Sequence, residues 1–201
     1  MDLSAPLLDV APAVRGSLLQ VLARLEQPVT RRQAAAAAGV APGNASAVIE
    51  ELIRSGIVSE TVAGRSSMVI LNRNHLAAGP VLALAGLRGE LIGRLRKRLT
   101  AWTDLDGAWL FGSVARSDGN SDSDVDILIV VDDLQLPDLH RRLSRLQADV
   151  RSWTGNDLQV TEHTQSSWRK LVRAKNPLVD QIRLDGIALA GDTASLLKRQ
   201  R

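Results

Sequence analysis

The sequence predicts a mixed α/β protein in two parts, a mainly helical first part and a second part built around a sheet. In the first part, apolar residues recur at helical spacing and are followed by two short apolar runs around a turn. In the second part, apolar runs at 108–111 and 124–131 flank a polar segment that contains glycine, a pattern typical of two strands and their connection. The 201 residues suffice for two small domains, and a hydrophobic content of 45% suffices for packed cores.

The first part, residues 13–75, is predicted to contain three helices and a hairpin. Apolar residues three and four positions apart predict the helices. Thr30 has a side chain suited to capping the second helix, and Gly56 is suited to ending the third. The predicted helices cover 13–26, a run through 34–38, and 45–55 after a turn at 39–44; the predicted strands cover 57–62 and 68–72.

A connector, residues 76–104, is predicted to be helical because it carries one apolar stripe at spacings of three and four. The stripe consists of Leu84, Leu87, Leu91, Leu95, Leu99 and Trp102. The remaining surface carries a basic run, which consists of Arg88, Arg94, Arg96, Lys97 and Arg98. This run is either a solvated helix face or a patch that faces a nucleotide or RNA.

Two carboxylates stand at the start of the second apolar run. Side chains alternate along a strand, so Asp124 and Asp126 are predicted to project from one face. Carboxylates this close repel each other unless a cation lies between them, and a divalent metal takes such oxygen ligands. Gly112 and Ser113 end the first run and offer the backbone N–H groups and the hydroxyl that hold phosphate in proteins. Metal and phosphate sites side by side indicate phosphoryl or nucleotidyl transfer.

A further helix and strand are predicted after the carboxylates. Pro137 is suited to the first turn of a helix, and Gly155 to its end. A strand is predicted over 157–161. The core stripe of the helix consists of Leu139, Leu143, Leu146, Val150 and Trp153.

Charge is distributed unevenly along a chain whose formal net charge is +3. Between residues 104 and 133 there are eight Asp against one Arg, whereas from residue 138 onward twelve Lys and Arg face seven Asp and Glu. An acidic metal-binding centre in a basic body would attract a polyanion such as a metal–nucleoside triphosphate. The chain has no Cys, no long apolar run and no leader pattern, so the sequence predicts a cytoplasmic protein without a membrane partner.

The stretch from Phe111 to Asp126 resembles the Gly-Ser…Asp-x-Asp motif of the minimal nucleotidyltransferases of the DNA polymerase β-like superfamily. Gly112-Ser113 is followed, after ten intervening residues, by Asp124-Val125-Asp126. Ala115-Arg116 and the residues at 121–123 also match the family's pattern. The resemblance covers about residues 105–191 and implies a nucleotidyltransferase palm, an α/β (α+β) fold.

The resemblance also implies roles for individual residues. Asp124 and Asp126 would bind two Mg²⁺ ions, and Gly112 and Ser113 would hold the triphosphate of ATP or another nucleoside triphosphate. Asp157, at the start of the next strand, is the expected third metal-binding and catalytic carboxylate, with Glu162 as the alternative. Arg116 would either bind a phosphate or pair with Asp118 or Asp122.

Residues 13–75 resemble a winged helix-turn-helix domain, because three helices precede a hairpin. The helix over 45–55 would be the recognition helix, and the turn at 64–67 the tip of the wing. Residues 1–75 carry seven Arg against six Asp and Glu, so the sequence leaves open DNA binding and protein interaction or dimerisation, including a homodimer. The candidate DNA contacts are Arg31, Arg32, Asn44, Arg54 and Arg65.

The expected activity is Mg²⁺-dependent transfer of a nucleoside monophosphate, AMP from ATP, to a hydroxyl. Related families include antitoxins that modify a HEPN toxin, so a protein acceptor is the first expectation. A small molecule, as for antibiotic-modifying relatives, and an RNA end are alternatives. The chain contains no Tyr, which excludes its own tyrosines as acceptors. The rival from another class is a DNA-binding transcriptional regulator whose palm only senses nucleotide.

Overall fold

The computed structural model describes residues 1–11, 13–64 and 66–198. These residues divide into two compact units, with the division between Leu87 and Arg88. The N-terminal unit contains residues 4–87 together with Asp2. The C-terminal unit contains the chain from Arg88 onward together with Met1 and Leu3. Each unit has its own hydrophobic core.

The N-terminal unit contains helices packed with a three-stranded antiparallel sheet. The sheet has the order β1-β3-β2, and a short strand, β1, extends the predicted hairpin. Each helix and strand predicted for this part has a counterpart in the structure. The elements are α1 Leu7–Val10, α2 Ala13–Arg24, β1 Val29–Thr30, α3 Arg31–Ala37, α4 Pro42–Arg54, β2 Val58–Ala63, β3 Ser66–Leu71 and α5 Ala78–Ala85.

The starts of α3 and α4 show what local sequence specifies. The predicted cap at Thr30 is confirmed: its Oγ1 accepts a hydrogen bond from the Gln33 backbone N–H at 3.1 Å, and Gln33 Oε1 accepts one from the Thr30 backbone N–H at 2.9 Å. The turn predicted over 39–44 is wrong in its second half, because α4 already begins at Pro42. Proline fits the first helical position, where its fixed φ and its missing N–H cost nothing.

The C-terminal unit begins within the predicted connector, whose helix is divided in two at Gly86. The second of these helices, α6, leads into an alternation of strands and helices. The elements are α6 Leu87–Thr100, β4 Leu105–Phe111, α7 Gly112–Arg116, β5 Val125–Val131, α8 Leu139–Thr154, β6 Leu158–Thr164, α9 Gln165–Arg173, α10 Pro177–Asp185, β7 Ile187–Gly191 and α11 Thr193–Leu196.

A four-stranded mixed sheet of order β6-β5-β4-β7 forms the centre of this unit. Strand β4 is antiparallel to β5 and β7, whereas β5 and β6 run parallel. Helices α6 and α8 pack on one face, where Ile127 and Ile129 of β5 are fully buried. Helices α9 and α10 pack on the other face, against Leu128 and Val130. The alternation along β5 therefore directs Asp126 toward the face that carries α9 and α10.

None of the helices in the described ranges is both long enough and apolar enough to span a bilayer.

Candidate active site

The structure places Asp124 and Asp126 at the end of the sheet where β5 begins. Asp126 is the second residue of β5 and lies opposite Phe111, the last residue of β4. Asp124 immediately precedes the strand and is exposed, whereas Asp126 is half-buried. The two carboxylates therefore lie next to the point where the chain leaves β4 through Gly112.

The electrostatics of the pair disfavour the ionised form of Asp126. Burial raises the pKa of the Asp126 carboxyl, the negative charge of Asp124 raises it further, and the Arg116 guanidinium opposes both effects. Holding this carboxylate ionised costs free energy in the protein alone. A bound cation would remove that cost, so the pair suits a divalent metal with oxygen ligands.

Glycine is required at position 112 for two reasons: its backbone conformation and the lack of room for a side chain. Its φ is +72°, in the left-handed region that side chains disfavour. A Cβ on Gly112 would lie 2.4 Å from Asp126 Oδ2, far inside van der Waals contact. The backbone can therefore approach the Asp126 carboxylate this closely only with glycine at position 112.

The polar loop between α7 and β5 folds back over Ser113. A Cβ on Gly119 would lie 3.1 Å from Ser113 Oγ and 3.1 Å from Ser123 Oγ. Ser117 ends α7 in a left-handed conformation, with φ of 62°, which turns the chain toward this loop. The Gly-Ser turn and the segment before Asp124 are thus parts of one compact site.

Asn156 holds this loop, and the sequence analysis missed its role. The side chain is 5% exposed, and its Nδ2 donates hydrogen bonds to the backbone carbonyls of Ser121 at 3.2 Å and Ser123 at 2.8 Å. A buried amide fixed in this way positions the residue that follows, Asp124. The sequence offers little signal, because Gly155-Asn156 is typical of any helix end.

Arg88 holds the other side of the site. Its guanidinium donates to the carbonyls of Val114 and Ala115, which are at the C-terminal end of α7 and lack partners within that helix. A cation is also favourable near the negative end of a helix. The sequence analysis placed Arg88 only in a basic run, so its contact with α7 is a finding of the structure.

Arg116 pairs with Asp118, one of the two partners weighed from the sequence. Its Nε donates to Asp118 Oδ2 at 2.9 Å. This hydrogen bond is the main reason that the pKa of Arg116 is raised, and the charges of Asp185 and Asp126 add to it. Asp185, at the end of α10, thus belongs to the surroundings of the site, although no motif marks it in the sequence.

Residues 90–175 match a family model described as "Nucleotidyltransferase domain". The matched segment extends from α6 past the end of α9 and includes Gly112, Ser113, Asp124 and Asp126. Residues 90–175 are a nucleotidyltransferase domain. The protein is therefore a transferase of the nucleotidyl-transferring class, EC 2.7.7, as the sequence predicts.

Three solved structures match this chain over 54% of its length. One is a crystal structure of a toxin–antitoxin with AMP-PNP, with 22% identity, a TM-score of 0.35 and 77% of that chain covered. The other two are mutants of the toxin–antitoxin MntA–HpeT, with 18% and 22% identity, TM-scores of 0.34 and 0.33, and 76% and 75% of those chains covered. No curated protein sequence matches this chain.

Asp157 lies beside the nucleotidyltransferase motif but is engaged elsewhere. Its backbone carbonyl accepts a hydrogen bond from Val125 N–H at 2.8 Å, and its carboxylate pairs with Arg151. Within the described residues no three Asp, Glu or His side chains form a metal-binding group. Gln159 of β6 contacts the pair, with its Nε2 lying 3.4 Å from Asp124 Oδ2. The metal-binding role of Asp157 stays a prediction.

The candidate DNA contacts in the N-terminal unit differ in their availability. Arg31 pairs with Glu50 at 2.9 Å and with Glu60 at 2.7 Å, so this cation is already neutralised. The other three described candidates are exposed, and Arg65 lies outside the described residues. The exposed candidates are Arg32, Asn44 and Arg54.

Proposed function

We propose that this protein transfers a nucleoside monophosphate, AMP from ATP, to a hydroxyl of a macromolecular acceptor with the help of Mg²⁺. The observation that carries the proposal is the position of Asp124 and Asp126 beside the Gly112 turn in a nucleotidyltransferase domain. In the reaction, the acceptor hydroxyl releases its proton to solvent as its oxygen bonds to the α-phosphorus. The bond from that phosphorus to the oxygen of the β-phosphate breaks, and pyrophosphate leaves.

Asp124 and Asp126 are the proposed Mg²⁺ ligands. The raised pKa of Asp126 supports this assignment, because burial and the negative charge of Asp124 make the ionised carboxylate unfavourable until a cation binds. Mg²⁺ bound there supplies charge neutralisation of the triphosphate and activation of the attacking hydroxyl. Asp157 is proposed as a third carboxylate on the basis of the sequence resemblance alone.

Gly112, Ser113 and Arg116 are the proposed binding residues for the triphosphate. Because Gly112 has no side chain, its backbone lies directly against the Asp126 carboxylate, so a phosphate held by the Gly112-Ser113 turn would lie next to a proposed Mg²⁺ ligand. Arg116 is 36% exposed, so it can exchange its contact with Asp118 for one with a phosphate. Its guanidinium would then balance part of the negative charge of the nucleotide.

A macromolecular acceptor is favoured because the site lies at the surface. Asp124 and the preceding residues Ser121 and Asp122 are exposed, so this part of the loop provides no enclosing wall for a small molecule. A protein acceptor such as a HEPN-type toxin is the first candidate from the sequence resemblance, and the protein would then act as an antitoxin. A small-molecule acceptor is the second candidate.

The N-terminal unit is proposed to be a winged helix-turn-helix module that binds DNA through α4. The order of helices and strands and the exposed Arg32, Asn44 and Arg54 support this proposal. The ion pairs of Arg31 with Glu50 and Glu60 weaken the positive field of this surface. Protein interaction or homodimerisation through the same unit is the alternative function.

The test is transfer of label from α-labelled nucleoside triphosphates to proteins and RNA from the host, with and without Mg²⁺. We expect ATP to be the best donor, and Asp124→Asn and Asp126→Asn to abolish both labelling and pyrophosphate release. Asp132→Asn, at the exposed far end of β5, is the matched control and should retain full activity. Binding of ATP without any metal-dependent pyrophosphate release would instead support a regulator that senses nucleotide.

A further inference from the structure

A groove of about 610 Å³ lies between the outer surfaces of α6 and α8. It is on the face of the sheet opposite the one toward which Asp126 projects, so it is separate from the candidate active site. Neither the nucleotide nor the reacting hydroxyl is proposed to occupy it. Its lining combines two tryptophans with an excess of basic side chains.

The base of the groove is apolar. Leu146 of α8 is 2% exposed, and Trp102 and Trp153 are half-buried against the core beneath the sheet. A ligand that packs against the exposed parts of Trp102 and Trp153 would bury apolar surface of its own. The groove therefore suits a ligand with an apolar side, and not a polyanion that is hydrophilic throughout.

The tryptophan faces are occupied by arginines. The guanidinium groups of Arg94 and Arg98 lie 5.4 and 5.9 Å from the ring centroid of Trp153, and that of Arg142 lies 4.7 Å from the ring centroid of Trp102. Single-stranded nucleic acids gain much of their affinity by stacking bases on open aromatic faces. These indoles do not offer such open faces, which argues against a nucleic acid in the groove.

The rim of the groove carries uncompensated positive charge. Asp149 pairs with Arg98 at 2.7 Å, and Arg142 pairs with Asp104 outside the groove lining. Lys97 and Arg145 are exposed, and in the described ranges they make no ion pair. These two cations, one on each helix, are therefore available to carboxylates of a partner.

We propose that the groove between α6 and α8 binds an acidic amphipathic helix of a partner protein. The apolar side of such a helix would cover the exposed parts of Trp102 and Trp153 and the aliphatic stems of the arginines that lie on them. Its carboxylates would pair with Lys97 and Arg145 on the two rims. An apolar base between two helices with charged rims is the arrangement by which grooves bind amphipathic helices. Charge complementarity selects an acidic helix. This docking is independent of nucleotidyl transfer.

The experiment measures binding of a fluorescein-labelled peptide to the full-length protein by fluorescence anisotropy. The peptide is helical over about four turns, with leucines on one side and glutamates flanking them. We expect a micromolar Kd, at least tenfold weaker binding to Lys97→Glu/Arg145→Glu, and unchanged binding to Arg141→Glu. Arg141 is the matched control because it is exposed on α8 but does not line the groove.

A second readout locates the peptide. Trp109 and Trp168 are buried in a different cluster, so a change in tryptophan emission on binding should come from Trp102 and Trp153 and should shrink in Trp153→Phe. Equal peptide binding by wild type and the double charge variant would overturn the proposal. So would tighter binding of a single-stranded oligonucleotide that the same two substitutions abolish. Self-association lost in the double charge variant, with no peptide binding, would assign the groove to a second copy and also overturn it.

Discussion

A Cβ atom on residue 112 would lie 2.4 Å from Oδ2 of Asp126, so the glycine that follows β4 leaves room for the carboxylate near the start of β5. Thirteen residues lie between these two in the sequence, and the antiparallel pairing of β4 with β5 brings them together. The spacing of the Gly-Ser…Asp-x-Asp motif is the length of chain needed to form α7 and return to the sheet.

Gly112→Ala should reduce transfer activity at least as strongly as the loss of a ligand. The added methyl group displaces the Asp126 carboxylate, and the left-handed φ adds strain of about 1–2 kcal/mol. Activity and the free energy of unfolding should both fall. Gly93→Ala, in α6 with open space around its Cβ, is the control and should stabilise the protein slightly. Wild-type activity in Gly112→Ala would show that the site tolerates the displacement.

Asp126→Asn should raise the melting temperature of the metal-free protein at neutral pH. The pKa of Asp126 is raised in the folded state, so its stabilising contribution is present below the unfolded pKa and is lost as pH rises. Asparagine removes the cost of the charge, with an expected increase of about 2 °C. Calorimetry with and without Mg²⁺ provides the measurement: Mg²⁺ should stabilise the wild type and not the variant. A lower melting temperature in Asp126→Asn without metal would contradict this electrostatic account.

Asp157→Asn tests the third carboxylate. If Asp157 binds metal in the active complex, the variant should lose transfer activity while its stability changes by less than about 1 kcal/mol, because the pair with Arg151 is exposed. Arg151→Gln removes the same ion pair and should leave activity intact, so it is the control. Full activity in Asp157→Asn, with loss of activity in Gln159→Ala, would assign this position in the site to Gln159 instead.

The ion pair between Asp104 and Arg142 should stabilise the folded protein at neutral pH, and this stabilisation should be lost in acid. Two hydrogen bonds from Arg142, each 2.6 Å long, are the main reason that the pKa of Asp104 is lowered. Its contribution is therefore present above the unfolded pKa and lost as pH falls through the folded value. Urea unfolding should show that Asp104→Asn is destabilised at neutral pH but approaches wild type once the pH falls below the lowered pKa of Asp104. If the difference in the free energy of unfolding between wild type and Asp104→Asn did not change with pH, the loss of stability would come from altered packing and not from the lost charge.

DNA binding by the N-terminal unit should depend on Arg54 and Arg32 more than on Arg31. Each phosphate contact adds to the salt dependence of binding, and Arg31 is already paired with Glu50 and Glu60. We expect Arg54→Ala to weaken binding to the protein's own promoter and to reduce the salt slope by about one. Arg15→Ala, whose side chain pairs with Glu51, serves as a control for charge alone. Binding that is absent or insensitive to salt would favour the protein-interaction alternative.

Local sequence determined much of the fold. The capping box at Thr30, the apolar stripes of the helices and the alternating strand at 125–131 act over a few residues, so they could be predicted without tertiary information. The sequence pattern places Pro42 in a turn, whereas α4 begins there, because proline is equally suited to a turn and to the first turn of a helix.

The enzyme class and the motif of the site could be predicted from residue types alone, because glycine, serine and two aspartates at fixed spacing carry the chemistry. Which distant residues support that motif depends on the packing of the folded chain. Asn156 and Arg88 bond to backbone carbonyls, and Asp185 approaches Arg116 through the packing of α10. Such contacts depend on which segments meet in space, and residue type alone does not specify a partner far along the chain. The groove between α6 and α8 could not be predicted from the sequence for the same reason. Its apolar base and charged rims come from two helices that are separate in the sequence.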